Sequence, residues 1–490
     1  MGQASGSSAE IWYKIEAVNG VTPSVDAGAS TTLAAAVNPG ASSISVVSGT
    51  GVSAGEVLRV GTSQNMEFVK VDASYTSGTT IPLDANTKIN YRHEAGEDVK
   101  ETDPTKNWFK LGNVRSFTPS GGRELQRSQA LSGSRVLSNF REGNYEAGAD
   151  MTVELDIETA GLFYLHALNN DYYSVGATQT SSPVSTTLDG AVAKGATQIE
   201  LDDATNVATG VFLQIGTGVE AEIVKVGTYV SGTTIDLDPD AHPLGLRKAH
   251  ASGDAVVEKI KPFTHTIYRG QTIPEGISFI LRFTDIESLM LIRGNKISNL
   301  TLNVDPSDLP QLNMNVSGKA FQVLSENIFG TPVSIENIPY VHWEASVQVD
   351  SAALTSNQLE NLSLVIENTI QGNFVVGSPI KGAITPGEGS VSGSFTYQYG
   401  SQQFAEKTIA GTETQLDFVW TYIGDDNHQV TMSVPKAKFE GSPHPGVSSK
   451  DPITDEKSFL GRLDLGSSPA TDVSVTVKNN QPTVEWMVES

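Results

Sequence analysis

The 490-residue chain has no cysteine. That excludes a disulfide scaffold, a thiolate metal site, an iron–sulfur cluster and a cysteine nucleophile together. Positive charge is also scarce: 32 Lys+Arg stand against 56 Asp+Glu, a formal net of −24. Phosphate recognition needs clustered cations, so this balance argues against a surface that grips nucleic acid. No apolar run approaches the roughly 20 residues that a membrane helix requires. Residues 1–10 carry neither a basic stretch nor an apolar core, so they do not read as a secretory signal. The length suffices for two to four domains. The expectation is a soluble, multidomain protein made inside a cell.

Short apolar/polar alternations, separated by Gly, Ser, Thr, Asn and Pro, fill most of the chain. Asp150-Met-Thr-Val-Glu-Leu-Asp-Ile157, Leu300-Thr-Leu-Asn-Val304, Gln429-Val-Thr-Met-Ser-Val434 and Thr471-Asp-Val-Ser-Val-Thr-Val477 are examples. Successive side chains of a strand face opposite ways, so such runs bury one face and wet the other. Helical spacing is confined to 159–169, where Leu162, Leu165, His166 and Leu168 share a side, and more weakly to 354–362. The fold class is mainly β with one or two short helices.

One segment occurs twice. Thr31-Thr-Leu-Ala-Ala-Ala-Val37 matches Thr186-Thr-Leu-Asp-Gly-Ala-Val192, and Leu58-Arg-Val-Gly-Thr62 matches Leu213-Gln-Ile-Gly-Thr217. Glu67-Phe-Val-Lys-Val71 pairs with Glu222-Ile-Val-Lys-Val226, and Ser77-Gly-Thr-Thr-Ile81 with Ser231-Gly-Thr-Thr-Ile235. Each copy ends in His, a spacer, Gly and Val: His93 to Val99 and His250 to Val256. Repetition of this kind marks a self-contained module. Two small all-β modules, 31–105 and 186–258, are therefore inserted into a host domain made of 1–30, 106–185 and 259–330. Trp12-Tyr-Lys-Ile-Glu16, Asn107-Trp-Phe-Lys-Leu111 and Phe263-Thr-His-Thr-Ile267 are expected to share one of its sheets. A second β domain occupies 331–490. Its Gly387–Gly393 stretch, leading into Ser394-Phe-Thr-Tyr397, echoes Glu142–Gly148 leading into Met151-Thr-Val-Glu-Leu155, with spacings that differ by one residue.

Residues 106–141 run against the acidic background. Lys106, Lys110, Arg115, Arg123, Arg127, Arg135 and Arg141 face only Glu124, a net of +6. Rich in Gly and Ser, the stretch reads as a long mobile loop between strands. Its cations are either a solvated face, a subunit-contact arm or, least in keeping with the acidic chain, a nucleic-acid clamp. An arm suits Arg, whose planar fork matches the carboxylates that identical acidic neighbours present. Arg115, Arg123, Arg127, Arg135 and Arg141 are its candidate contacts.

Catalytic patterns fail on inspection. Gly51-Val-Ser-Ala-Gly55 spells a hydrolase nucleophile elbow, but the second module has Ala208 where the first has Ser53, and no parallel sheet or long helix surrounds it. None of the eight His has metalloprotease spacing. Asp236, Asp238 and Asp240 open like a calcium loop, yet Ala241 stands where the turn glycine belongs and Arg247 where the bidentate glutamate belongs. No phosphate-cradling loop occurs. No catalytic residue, metal or cofactor is assigned, and an enzyme is not expected.

With the modules removed, the order of elements resembles the tail tube (major tail) proteins of long-tailed bacteriophages and tailed archaeal viruses. The resemblance rests on Ile11-Trp-Tyr-Lys-Ile-Glu16 with Val21-Thr-Pro-Ser24, on Val114-Arg-Ser-Phe117 and the Arg/Ser-rich stretch after it, and on the helix Gly161-Leu-Phe-Tyr-Leu-His-Ala-Leu168. It continues through Arg282-Phe-Thr-Asp-Ile286, Ile292-Arg-Gly-Asn-Lys-Ile-Ser-Asn-Leu300, Leu312-Asn-Met-Asn-Val-Ser-Gly318, Asn361-Leu-Ser-Leu-Val-Ile-Glu-Asn368 and Val430-Thr-Met-Ser-Val-Pro435. What it implies is a β-sandwich whose strands join those of neighbouring copies into a hollow ring. Rings would stack into a virion tail tube, assembled from protein made in the host cytoplasm. Genomic DNA would pass through without specific binding or any membrane contact, and tape-measure, terminator and baseplate or tip proteins would meet the ends. Two tube domains per chain imply a trimeric ring; one implies a homohexamer. The modules would decorate the outer wall. The alternative is a carbohydrate-binding or adhesive β-protein of a virus particle. None of the five Trp lies in either module, which weakens that reading, since sugar platforms usually use such rings.

Overall fold

The computed structural model describes residues 5–485 except 20, 63–64, 128–139, 169–171, 335–336, 355–358, 401 and 447–451. The chain is mainly β. Its first strand, β1 (Ala9–Ile15), precedes the first module, whose strands are β2 (Val25–Thr32), β3 (Ser43–Ser45), β4 (Val57–Val60), β5 (Glu67–Lys70), β6 (Thr80–Pro82) and β7 (Asp98–Asp103). The host resumes with β8 (Phe109–Lys110), β9 (Val114–Arg127), β10 (Phe140–Glu154), helix α1 (Ala160–Leu168) and β11 (Tyr172–Thr178). The second module contributes β12 (Ser185–Thr187), β13 (Gln198–Glu200), β14 (Phe212–Ile215), β15 (Glu222–Lys225) and β16 (Thr234–Asp236), and β17 (Ala255–Tyr268) carries the chain from it back into the host. Then follow β18 (Ile277–Phe283), β19 (Ser288–Val304), β20 (Gln311–Gly318) and β21 (Ala320–Leu324). The second half holds β22 (Ala345–Val349), β23 (Ala352–Ala353), β24 (Leu359–Phe374), β25 (Lys381–Gln398), α2 (Gln403–Ala410), β26 (Thr414–Thr421), β27 (Gln429–Glu440), β28 (Thr454–Gly461) and β29 (Ser474–Asn479).

One wiring serves both halves. In the first, the ribbon β9–β10 leads to α1, and the later hairpin β19–β20 returns so that β20 pairs with β10. In the second, β24–β25 leads to α2, and β27–β28 returns so that β28 pairs with β25. The flanking strands repeat as well. β18 and β21 line the two sides of the N-terminal part of β19, as β26 and β29 line β27. β1 pairs β18, as β22 pairs β26. In this correspondence Gly318 falls on Gly461 and Ala147 on Val391. The Gly148 and Gly393 of the sequence echo are then one residue out of step.

Each half is a sandwich made by one bent strand. Residues 288–293 of β19 sit between β18 and β21, whereas residues after Lys296 sit between β20 and β24. Gly294, at φ +70°, makes the corner, where a side-chain-bearing residue would be strained. Between the sheets lies one continuous apolar core, including Tyr13, Met151, Leu302 and Met314 from the first half and Leu364, Phe395, Phe418 and Met432 from the second. Helix α1 is buried along its whole length, which is why its sequence is apolar on all sides.

The modules repeat their ladders strand for strand. β3–β6 matches β13–β16, β4–β5 matches β14–β15, and the bridges Val37–His93 and Val192–His250 coincide. The paired strands of the first extend from Val25 to Asp103.

Three sequence expectations change. The supposed loop after 113 is a ribbon, because β9 and β10 pair from Val114 to Arg127 and from Phe140 to Val153. The outer half of β9 is exposed on both faces, so no apolar alternation marked it. Phe263–Ile267 does not join β1; it pairs with β29 of the second half and with β11, while β1 pairs β8 and β18. No helix occupies the described part of 354–362. From Leu359 the chain is strand, with Leu362, Leu364 and Ile366 inward at period two. The second helix is α2, whose few buried side chains, Phe404 and Ala405, gave little apolar signal.

Candidate functional site

The junction between the halves is main chain. Residues 299–304 of β19 pair antiparallel with 362–367 of β24, Asn299 opposite Glu367 and Val304 opposite Leu362. Eight strands thereby form one sheet in the order β9, β10, β20, β19, β24, β25, β28, β27. Both ends are open among the described residues: β9 pairs only with β10, and residues 438–440 of β27 pair only with β28. Unpaired edges of this length template association with another chain.

The sheet has one buried face and one polar face. On the latter, Asn315 donates to Asp150 at 2.6 Å and Thr152 donates to Asn313 at 2.7 Å. Ser363 donates to Asn303 at 3.0 Å across the junction itself. These rungs leave a smooth hydroxyl, amide and carboxylate surface with few cations.

The candidate arginines separate. Arg115 forks onto Glu154 at 2.9 Å and Asp308 at 2.6 Å. Arg123 pairs with Glu142 and lies 4.7 Å from the Tyr145 ring centroid. Arg127 and Arg141 are exposed near the far end of the ribbon. Arg135 lies outside the described residues.

The second ribbon shows what a ribbon end does. Residues 374–381, at the far end of β24–β25, rest on the first half. The Tyr145 N–H donates to the Pro379 carbonyl at 2.8 Å, and Lys381 meets Glu146 at 2.9 Å. Ile380 is buried with Tyr91, Tyr145 and Ala320. Beside this seat is a cleft of about 520 Å³ bounded by the first module, through Tyr91, Arg92 and Glu97, and by Arg123.

The first module is fixed to the host. Its Met66 and Phe68 pack with Trp12, Trp108, Leu291 and Phe329 on the face of the β1–β18–β19 sheet that points away from the sandwich core. The Gln322 side chain reads Phe68 like a strand, accepting from its N–H at 3.1 Å and donating to its carbonyl at 2.7 Å. Residues 277–281 of β18 are buried on both faces for this reason. Strand β26, with no module on it, alternates and turns Gln415, Val419 and Thr421 outward.

The repeated His has a structural role. His93 Nε2 lies 2.8 Å from Glu67 and its Nδ1 2.8 Å from Glu97. Glu67 also accepts the N–H groups of Asn90 and Tyr91. In the second module His250 lies 2.7 Å from Glu222, which accepts the Arg247 N–H. Burial works against charge on His93, but the hydrogen bonds and charges of Glu67 and Glu97 outweigh it and hold the ring above its usual 6.5. His166, on α1, is driven to about 3 by burial, with Arg247 and Lys296 adding to the shift.

The apparent catalytic strings are loops. The Ser53 N–H donates to Glu56 at 2.6 Å in a turn before β4, with no helix following. Asp238 is held by Lys225 at 2.9 Å and by the N–H groups of Asp240 and Ala241. Among the described residues no three His, Asp or Glu are placed to hold a metal ion, and no helix is long and apolar enough to cross a membrane.

The doubled sandwich with open sheet edges, a polar sheet face and no catalytic cluster among the described residues is the anatomy of an assembly subunit. The family model described as phage tail tube protein matches residues 84–478, and the chain belongs to that family. It is a structural protein of the viral tail, of a family whose members self-assemble into a tube, and nothing in the family points to an enzyme. Against curated proteins the chain has no match.

Proposed function

We propose that each chain contributes two tube domains, residues 1–30 with 106–185 and 259–330, and residues 331–490, and that three chains close a ring of sixfold-like symmetry. Rings stack into the hollow tail tube through which the genome leaves the particle. The observation that carries this reading is the β19–β24 ladder, a junction between two domains of one wiring. The repeat implies the same junction between chains, with β9 of one copy on β27 of the next. Carrying the register across sets Gly122 opposite Glu440, as Glu367 is opposite Asn299. A closed ring leaves no open edge.

Eight strands per chain in three chains give about 24 around the axis, since closure requires every junction to be paired. The polar face turns to the lumen. Its hydroxyls, amides and carboxylates offer a polyanion no cations to stop on. The first module, bound on the opposite side of the sandwich, then lies on the outer wall. Native mass spectrometry tests the count. Three times 52.0 kDa, about 156 kDa, is expected for the ring; a six-chain ring would count against two tube domains per chain.

A further inference from the structure

The repeat relates two ribbons, and among the described residues the chain fills the seat of one, β24–β25. The β24–β25 end rests on Tyr145, Ala320 and the first module. In the second half the positions corresponding to Tyr145 and Ala320 are Gly389 and Asp472, and no module covers them. The chain differs there in another way. Where Lys319 alone joins β20 to β21, residues 462–473 join β28 to β29, and 462–471 of them stand in the place of Lys319. This longer loop is held in shape. The Asp464 N–H donates to the Thr471 carbonyl at 2.9 Å, Lys436 meets Asp464 at 3.0 Å, and Arg462 meets Glu413 at 3.0 Å. Arg269 anchors its base through Asp472 at 2.8 Å. Yet it presents Leu463 and Leu465 to solvent at 52% and 81% exposure. Large apolar side chains displayed on an ordered loop mark a contact surface rather than a connector.

We propose that residues 462–471 are the seat for the β9–β10 ribbon of a second copy, replacing at the junction between chains the support that the first module gives within a chain. This rests on the ring reading above. The occupant follows from the repeat, because the ribbon corresponding to β24–β25 is β9–β10, which has one open edge and an exposed Leu125 (55%).

The test uses the full-length protein, which has no cysteine of its own. Leu465→Cys, carrying a thiol-linked photocrosslinker, is mixed with isotopically labelled wild type, irradiated and digested. Crosslinks joining the loop to labelled peptides of the 114–127 or 140–154 strands are expected. Leu463→Ser with Leu465→Ser is expected to leave the circular dichroism and melting of the isolated chain unchanged while weakening ring formation at least tenfold in concentration. Crosslinks confined to other surfaces or to other tail proteins, or undiminished assembly of the double variant, overturn the seat and leave the ring reading standing. Wild type that never assembles overturns both.

Discussion

At the scale of single residues, the paired His and Glu of the modules are the most exacting feature. Glu67 is fully buried and accepts two backbone N–H groups as well as His93. Glu67→Ala is expected to cost about 3 kcal/mol, because the buried partners lose their acceptor. A thermal melt followed by hydrogen exchange at residues 89–97 reads the loss. His93 also gives a pH dependence. Its folded value lies above the unfolded one, so its contribution is complete below about 6.5 and fades as pH rises through the raised value. Exchange protection of 89–97, corrected for intrinsic rate, should fall over that window, and His93→Gln should flatten the profile. Conserved protection up to strongly alkaline pH would contradict the clamp. The sequence displayed the recurring His and Glu but not their meeting. His93 and Glu67 are 26 positions apart and touch only because a loop folds over β5. Likewise the arginines stood out by charge, whereas their carboxylate partners Glu154, Asp308 and Glu142 became visible only with the ladder registered.

Elements show where pattern was informative and where it was silent. Strands with one buried face, such as β10, β20 and β27, alternate and were readable in the sequence. The exposed half of β9 does not alternate because neither face is buried in the isolated chain, and it read as a loop. Strand β18 is buried on both faces over 277–281 because the first module covers one of them, where Ile280 packs. Phe68→Ala should therefore open a cavity between module and host and destabilise by about 3–4 kcal/mol, with a change in emission from Trp12 and Trp108. Retained stability would mean that the module is loosely tethered. The corresponding residue of the second module, Ile223, is outside that cluster, so Ile223→Ala should leave this tryptophan signal unaltered. The polar sheet face makes a separate prediction. Asn303→Lys with Asn315→Lys should fold and assemble, since both side chains are partly or fully exposed, but should slow DNA release from particles. Unchanged release would argue that this face does not line the lumen.

For the whole molecule, a sheet whose end strands β9 and β27 each keep an open edge among the described residues is what the proposed ring would close. Inserted modules were legible as repeats of sequence, since both copies must fill the same small core. The likeness of the host's two halves was nearly invisible in sequence, because they share wiring and not residues: Gly389 stands at the Tyr145 position, and residues 462–471 stand in the place of Lys319. Only the strand pairing makes the two halves alike. Cryo-electron microscopy of assembled tubes tests the claim most directly. Threefold rings are expected, with β9 of each chain hydrogen-bonded to β27 of the next and Gly122 opposite Glu440 or within a residue of it. Rings of six chains, or tubes in which the β9 edge faces solvent, would contradict it.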